Sequence, residues 1–287
     1  MHKEVDLHVH SCYSDGSDIP FEILKKAREI GLRSISLTDH DTLAGVEDTI
    51  KTGKRFGIEV VPGVEISTEY KDYQIHILGY NFDLSNISLL EEHMRSQWEV
   101  NDKNALLAIS RCALDKVLGI NPEEVLLKIK KEMGRNNRPV FPVHIKDYIG
   151  QHPNIERELS YFSATSKEKD NRSAPRFLDP FRAIELINEW NGVAVLAHPA
   201  TIIDRKGKTS AENLDIFLSL VNAFKRKNLF GIEVAHPSLG VKQRNLLQRL
   251  AATKELATTG GSDYHGRYRP RIELACEGIS YKDLILR

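Results

Sequence analysis

The chain has 287 residues with 40 basic and 40 acidic side chains, and 41% of it is hydrophobic. That leaves ample Leu, Ile, Val and Phe to bury the core of one or two domains and excludes disorder as the main state. A formal net charge of zero lacks the broad basic footprint of a bulk polyanion binder, while a local patch for a small acidic ligand stays compatible with it. The N-terminal MHKEVDLHVHS has no apolar signal core, and no run approaches the ~20 apolar residues of a membrane span. Cys12, Cys112 and Cys276 lie far apart with no C-x-x-C, which fits a reducing cytoplasm, the compartment expected here, and no disulfide framework.

In chain order, Val5–Val9 reads as a strand and Ile19–Ile30 as a helix closed by Gly31. Ser34–Leu37 is a second strand, Leu43–Phe56 a second helix ending at Gly57, and Ile58–Pro62 a third strand. This βαβα rhythm predicts a parallel α/β sheet or barrel with right-handed crossovers. Gln74–Tyr80 adds a strand. A long helical run then covers Asn86–Gly119, followed by Pro122–Met133, and the polar SATSKEKDNRSAP at 163–175 reads as a loop. Alternation returns with helix Pro180–Trp190, strand Val193–Ala197, helix Ala211–Phe224, strand Gly231–Val234, helix Lys242–Thr253 and strand Glu255–Thr259. The organisation expected is a discontinuous catalytic body, residues 1–84 and 178–287, interrupted by a mostly helical insertion at 85–177.

Polar residues of metal-ligand type follow almost every predicted strand. His8 and His10 are two apart, so a period-two strand points both to one face. Asp39 and His40 follow strand two in SLTDHD, and Glu65 follows strand three in PGVEIS. His76 lies in HILGY, His198 follows VAVLA, His236 follows GIEVA, and Asp263 with His265 follows ATTGG. One H-x-H arises by chance at roughly 0.4 per chain and carries little alone. The joint pattern carries much more, because each residue would be a costly buried polar group without a shared purpose.

Together DLHVHSCYSDGS, SLTDHD, PGVEIS, HILGY, LAHP and GGSDYHG resemble the polymerase and histidinol phosphatase (PHP) family of metallo-phosphoesterases, in order and in strand context. The pattern looks most like its stand-alone bacterial members, the 3′,5′-nucleoside bisphosphate phosphatases and 5′→3′ oligoribonucleotide exonucleases. The resemblance implies a distorted (β/α)7 barrel with a mostly helical insertion, holding three divalent ions. Carried over by motif, His8, His10, Glu65 and Asp263 hold one metal. Glu65 bridges to a second held by His76 and His198, and Asp15, His40 and His265 hold the third. Mixed imidazole and carboxylate ligands suit Mn2+, with Fe2+, Zn2+ and Mg2+ as alternatives; Asp15, where some relatives carry His, hardens the third site. Such a cluster hydrolyses phosphate esters without a protein nucleophile, by activating water and clamping the attacking and leaving oxygens.

Asp39 is a candidate orienter of a ligating imidazole, and Asp41 is either that or a helix cap before Leu43. His236 is a candidate for contacting substrate phosphate or protonating the leaving group, against a purely structural role. In the insertion, Lys128–Lys146 holds six cations against one acid, Glu132. A solvated helix face explains the lysines. Arg135 and Arg138 sit in the turn-like GRNNRP, where arginine can grip phosphate bidentately, and His144 matches a histidine that relatives carry in the same stretch. The expectation is a cytoplasmic, divalent-metal-dependent phosphatase acting on a small phosphorylated substrate, a nucleotide or short RNA. It would remove the 3′-phosphate of nucleoside 3′,5′-bisphosphates, with trimming of short RNA from its 5′ end as an added activity. No membrane or obligate protein partner is expected. Its rivals are a histidinol-phosphate phosphatase and a non-catalytic metal-binding accessory module.

Overall fold

The structure, a computed structural model, describes residues 3–71, 73–114, 121–132, 134, 138–149, 177–207 and 209–280. Arg135 and the 163–175 stretch lie outside the described residues. Strand β1 (Val5–Val9) is buried along its whole length. Its period-two pattern puts Val5, Leu7 and Val9 on one face and Asp6 and His8 on the other, with His10 continuing the polar row. Helix α1 (Pro20–Glu29) starts with proline at its first position, and Glu22 accepts the Ile19 backbone N–H. Strand β2 (Ser34–Leu37) follows, then α2 (Val46–Phe56), which stops at Gly57 in the left-handed conformation at φ 69°.

Strand β3 is cut to Glu59–Val60, shorter than the expected Ile58–Pro62. Pro62 has no N–H to give a ladder, so pairing ends there and a new strand begins at once. That strand, β4 (Gly63–Tyr70), forms an antiparallel hairpin with β5 (Tyr73–Tyr80). Glu65 is therefore inside a strand and not after one. Helices α3 (Ile87–Leu114), α4 (Pro122–Glu132) and α5 (Pro142–Ile149) come next, α5 being unforeseen. Ala105, Ile109, Val125, Ile129, Val140 and Ile145 give these helices a core of their own. The body resumes with α6 (Pro180–Glu189), β6 (Val193–Leu196), the short α7 (Ala200–Ile203), α8 (Ser210–Lys225), β7 (Gly231–Ala235), α9 (Val241–Lys254) and β8 (Ala257–Gly260).

The strands form two sheets, a parallel β1-β2-β3 sheet and a mixed β4-β5-β6-β7-β8 sheet. Two pairings in the second sheet are antiparallel, β4 with β5 and β5 with β6. The fold is thus mixed α/β; among the described residues the strands form two sheets joined by single bridges, so the expected distorted (β/α)7 barrel is met in its α/β composition without one continuous hydrogen-bonded ring. Single bridges, His40 to Glu65 and Val9 to Tyr264, connect the sheets at two seams. Both seams fall on residues of the expected ligand set or their neighbours. At the second seam Gly261 lies so close to β1 that an added Cβ would sit 2.3 Å from the His8 Cβ. The largest apolar cluster joins β4, β5, β6 and β7 to α6, α8 and α9 through residues such as Ile77, Ile187, Leu196, Phe217 and Phe224.

Candidate metal centre

His8 and His10 leave β1 on one face, both fully buried. The loop after them is folded by Asp39, which follows β2. Its Oδ1 accepts the Ser11 backbone N–H at 2.8 Å and the Ser14 hydroxyl at 2.5 Å, and its Oδ2 accepts the Ser11 hydroxyl at 2.7 Å. Asp39 thus contacts serines of the turn that carries Asp15, and Ser14 in turn lies 3.4 Å from His10 Nδ1. Asp41, in the left-handed region at φ 54°, accepts the Ser67 N–H at 2.8 Å, and its carbonyl accepts the Trp98 indole N–H of α3. It caps no helix, since α2 begins at Val46.

Around these loops the structure gathers four overlapping groups of ligand atoms. They are His10, Asp15, His40 and His265; His8, His10, Glu65 and Asp263; His40, Glu65 and His76; and His8, Glu233 and His236. Glu65 stands in the middle with its two oxygens divided. Oε1 lies 3.0 Å from His76 Nδ1 and 2.8 Å from His198 Nε2, while Oε2 lies 3.0 Å from His8 Nε2 and 3.1 Å from His10 Nε2. Asp15 Oδ2 is 3.1 Å from His265 Nε2 and 4.0 Å from His40 Nε2. Asp263 Oδ1 is 3.3 Å from His10 Nε2. His198 and Asp263 adopt positive φ, 23° and 55°, a strained geometry for non-glycine residues that active sites hold at a cost elsewhere.

Buried carboxylates dominate the electrostatics of the cluster. Asp15, Glu65, Glu233 and Asp263 are four carboxylates at 8% exposure or less. Burial alone would raise Glu65, but His8, His40 and His76 hold it well below the usual carboxylate range. Burial likewise opposes ionisation of Asp263, and Arg269, His265 and His8 overcome it. Burial disfavours the His10 cation, yet Asp15, Asp263 and Glu65 push its pKa up to about 10. So much buried negative charge demands compensation. The imidazoles supply it poorly as hydrogen-bond donors: His10 Nε2, His40 Nδ1, His198 Nδ1 and His236 Nε2 are buried with no well-directed hydrogen bond. Clustered carboxylates with imidazole nitrogens around shared points are the donor set that divalent cations take, so the residues present fit such ions.

Every proposed ligand called from sequence, His8, His10, Asp15, His40, Glu65, His76, His198, Asp263 and His265, lies in this one assembly. His236 joins it at the edge, 3.4 Å from Asp263 Oδ2. Two residues were not foreseen. Glu233 sits inside β7 with Oε1 3.0 Å from His8 Nδ1, while Oε2 accepts the His198 backbone N–H at 2.7 Å. A carboxylate on the far nitrogen of an imidazole fixes its tautomer and leaves Nε2 facing the cluster. The only sequence signal was an acid set among the apolar residues of GIEVA. Arg269 donates from Nη1 to Asp263 Oδ2.

Beside the cluster opens a cleft of about 570 Å3, bordered by Cys12, Arg138, His144, Arg267 and Tyr268. Arg138 donates to the Cys12 carbonyl at 3.0 Å and covers the Tyr13 ring at 4.2 Å. His144 is buried, and its Nδ1 accepts the Phe141 N–H. The cleft therefore brings together Arg138 and His144; Arg135 lies outside the described residues.

A PHP domain family model matches residues 6–236. The chain belongs to the PHP domain family. As a PHP phosphoesterase it is a metal-dependent hydrolase. A Haemophilus influenzae 5′-3′ exoribonuclease is 30% identical over 266 residues, covering 92% of this chain and 91% of that protein. An Eggerthella lenta phosphoribosyl 1,2-cyclic phosphate 1,2-diphosphodiesterase is 28% identical over 275 residues, covering 92% and 94%. A 3′,5′-nucleoside bisphosphate phosphatase from Chromobacterium violaceum is 24% identical over 282 residues, covering 91% and 87%. A crystal structure from Bifidobacterium adolescentis superposes with a TM-score of 0.78 at 24% identity, covering 99% of this chain and 94% of that one, which shows a shared fold. No helix among the described residues is long and apolar enough to cross a membrane.

Proposed function

We propose that this PHP protein hydrolyses a phosphoester on a ribose phosphate that carries a second phosphoryl group. The leading substrate is a nucleoside 3′,5′-bisphosphate, losing its 3′-phosphate to leave the 5′-monophosphate, with 5′→3′ trimming of short RNA by the same centre. The observation that carries this reading is the buried ligand cluster opening beside a cleft that offers Arg138. The three relatives named above point the same way, since all three act on ribose phosphates.

In this reading His8, His10, Glu65 and Asp263 hold one divalent ion, Glu65, His76 and His198 a second, and Asp15, His40 and His265 a third, with Mn2+ the preferred ion. Such ions make a water acidic enough to ionise near neutral pH and neutralise charge growing on phosphoryl oxygens. The side chains do the rest. Glu233 holds His8 by its Nδ1, so that Nε2 keeps one direction. His236 accepts the Ser238 N–H on Nδ1 at 3.1 Å, which leaves its proton on Nε2, the atom facing Asp263. From there the Nε2 N–H can donate a hydrogen bond to a phosphoryl oxygen of the substrate. Arg138 and His144 hold the phosphate that does not react, and that remote binding orients the one that does.

A second reading, opening of a cyclic ribose phosphodiester, is favoured by the match to the Eggerthella lenta enzyme over 92% of the chain. Adenosine 3′,5′-bisphosphate, 3′-AMP, a ribose 1,2-cyclic phosphate bearing a 5-phosphate, and histidinol phosphate should be compared with Mn2+ present. The leading reading expects 5′-AMP from the bisphosphate, formed much faster than phosphate is released from 3′-AMP. Accumulation of 3′-AMP would reverse the proposed orientation. Turnover of the cyclic ester or histidinol phosphate alone would hand the function to that rival.

A further inference from the structure

Two arginines that no motif predicted project from one short segment, Gly266–Arg269, just after the candidate ligands Asp263 and His265. Arg269 reaches back to the cluster, where its Nη1 donates to Asp263 Oδ2. Asp263 turns its other oxygen, Oδ1, toward His8, His10 and His265. The guanidinium thus stands on the outer side of a carboxylate whose inner side faces the cluster. A guanidinium has five donors in a fixed plane and cannot ligate a cation, so what it offers beside such a centre is N–H groups for an oxyanion. Its side chain is 44% exposed.

Arg267, two residues earlier, points the other way, into the cleft of about 570 Å3. It stacks 5.1 Å over the Tyr268 ring, and its Nη2 meets Asp147 of α5 at 2.8 Å. Nη2 also approaches the Tyr268 hydroxyl at 3.3 Å, while Nε and Nη1 make no hydrogen bond among the described residues. An ion pair this exposed, 68% for Arg267 and 41% for Asp147, contributes little by itself. The contact sets the guanidinium at the wall of the cleft that Arg138 also lines. The segment is anchored beneath both arms: the Arg267 N–H donates to Ser17, and Gly266 sits at φ 63° against Ser17 and Asp18, where a Cβ would clash at 2.1 Å.

We propose that Gly266–Arg269 is a two-armed phosphate clamp, resting on the phosphoesterase reading above. Arg269 grips the phosphoryl group that reacts at the cluster, and Arg267 grips the second phosphoryl group in the cleft. The clamp selects ligands with two phosphoryl groups over those with one.

The test uses Arg267→Ala and Arg269→Ala, with Arg269→Lys as the conservative partner. Thermal shifts with inorganic phosphate and with adenosine 3′,5′-bisphosphate give a readout that needs no turnover, and bound metal is counted in each variant. Arg267→Ala should lose about ten- to hundredfold in affinity and kcat/KM for the bisphosphate and leave 3′-AMP and inorganic phosphate unchanged. Arg269→Ala should lose a similar factor for all three, with metal content intact and part of the loss restored in Arg269→Lys. Equal losses from Arg267→Ala on one- and two-phosphate ligands, or none on either, overturn the clamp. So does loss of metal in Arg269→Ala, which would make Arg269 a mere support for Asp263. If the wild type hydrolyses no phosphate ester while the binding pattern holds, the phosphoesterase reading fails and the clamp stands.

Discussion

At the scale of residues, the centre depends on carboxylates that do not all have the same task. Glu65 divides its oxygens between two imidazole pairs, whereas the hydrogen bonds of Glu233 among the described residues go to the outward nitrogen of His8 and the backbone of His198. Removing the charge of Glu233 while keeping its shape should loosen His8 without deleting a ligand. Glu233→Gln is expected to weaken metal binding about 10- to 100-fold, read by titrating metal into the apo protein and following bound metal. The unfolding midpoint of the apo protein should stay close to wild type. An unchanged metal affinity would separate Glu233 from the centre. Asp39 makes the contrasting case. Reading SLTDHD made it a candidate orienter of a ligating imidazole; its partners are Ser11 and Ser14, the latter 3.4 Å from His10 Nδ1, and their sequence spacing carries no signal of that pairing.

At the scale of elements, the seams between the two sheets decide where the centre sits. β8 approaches β1 at Gly261, and the Asp263 N–H donates to the His8 carbonyl at 2.8 Å. A side chain at 261 would meet His8 backbone and Cβ within 3 Å, so the strands must part. Gly261→Ala should therefore destabilise the protein by about 1–3 kcal/mol, read as a lower denaturant midpoint at unchanged slope. It should also impair metal loading, because Asp263 and His8 separate together. A wild-type midpoint would show that the contact yields freely. The strand ends carrying His8, His40 and His198 were legible from apolar runs followed by polar residues. The β4–β5 hairpin was not: PGVEIS follows a proline that ends one strand and begins another, and antiparallel pairing leaves no helix between them to mark the boundary. Helix α5 was hidden for a related reason. Its eight residues, starting at Pro142, are too few for a helical period to stand out among neighbouring prolines and arginines.

At the scale of the molecule, α3 and Phe141, just before α5, meet the residues around the centre. Trp98 and Asn101 of α3 bond the Asp41 carbonyl and side chain beside His40, and Gln97 bonds the Ser67 carbonyl. Phe141 approaches the His40 ring at 5.8 Å. That the proposed ligands would gather in one place was readable because their chemistry is written in residue type at strand ends. The cleft was less so, because Arg267 and Arg269 follow GGSDYH without a periodic or compositional mark, and only folding reveals which arginine meets the cluster. In the proposed function, phosphoester hydrolysis runs on cations held around Glu65. The most direct measurement is bound metal and phosphate release from adenosine 3′,5′-bisphosphate, followed together in wild type and Glu65→Gln, before chelation, after chelation and after Mn2+ is restored. Chelation should abolish wild-type release and Mn2+ should restore it, while Glu65→Gln binds less metal and stays at least about 100-fold slower throughout. Undiminished release from the chelated wild type, or wild-type metal content and rate in Glu65→Gln, would contradict it.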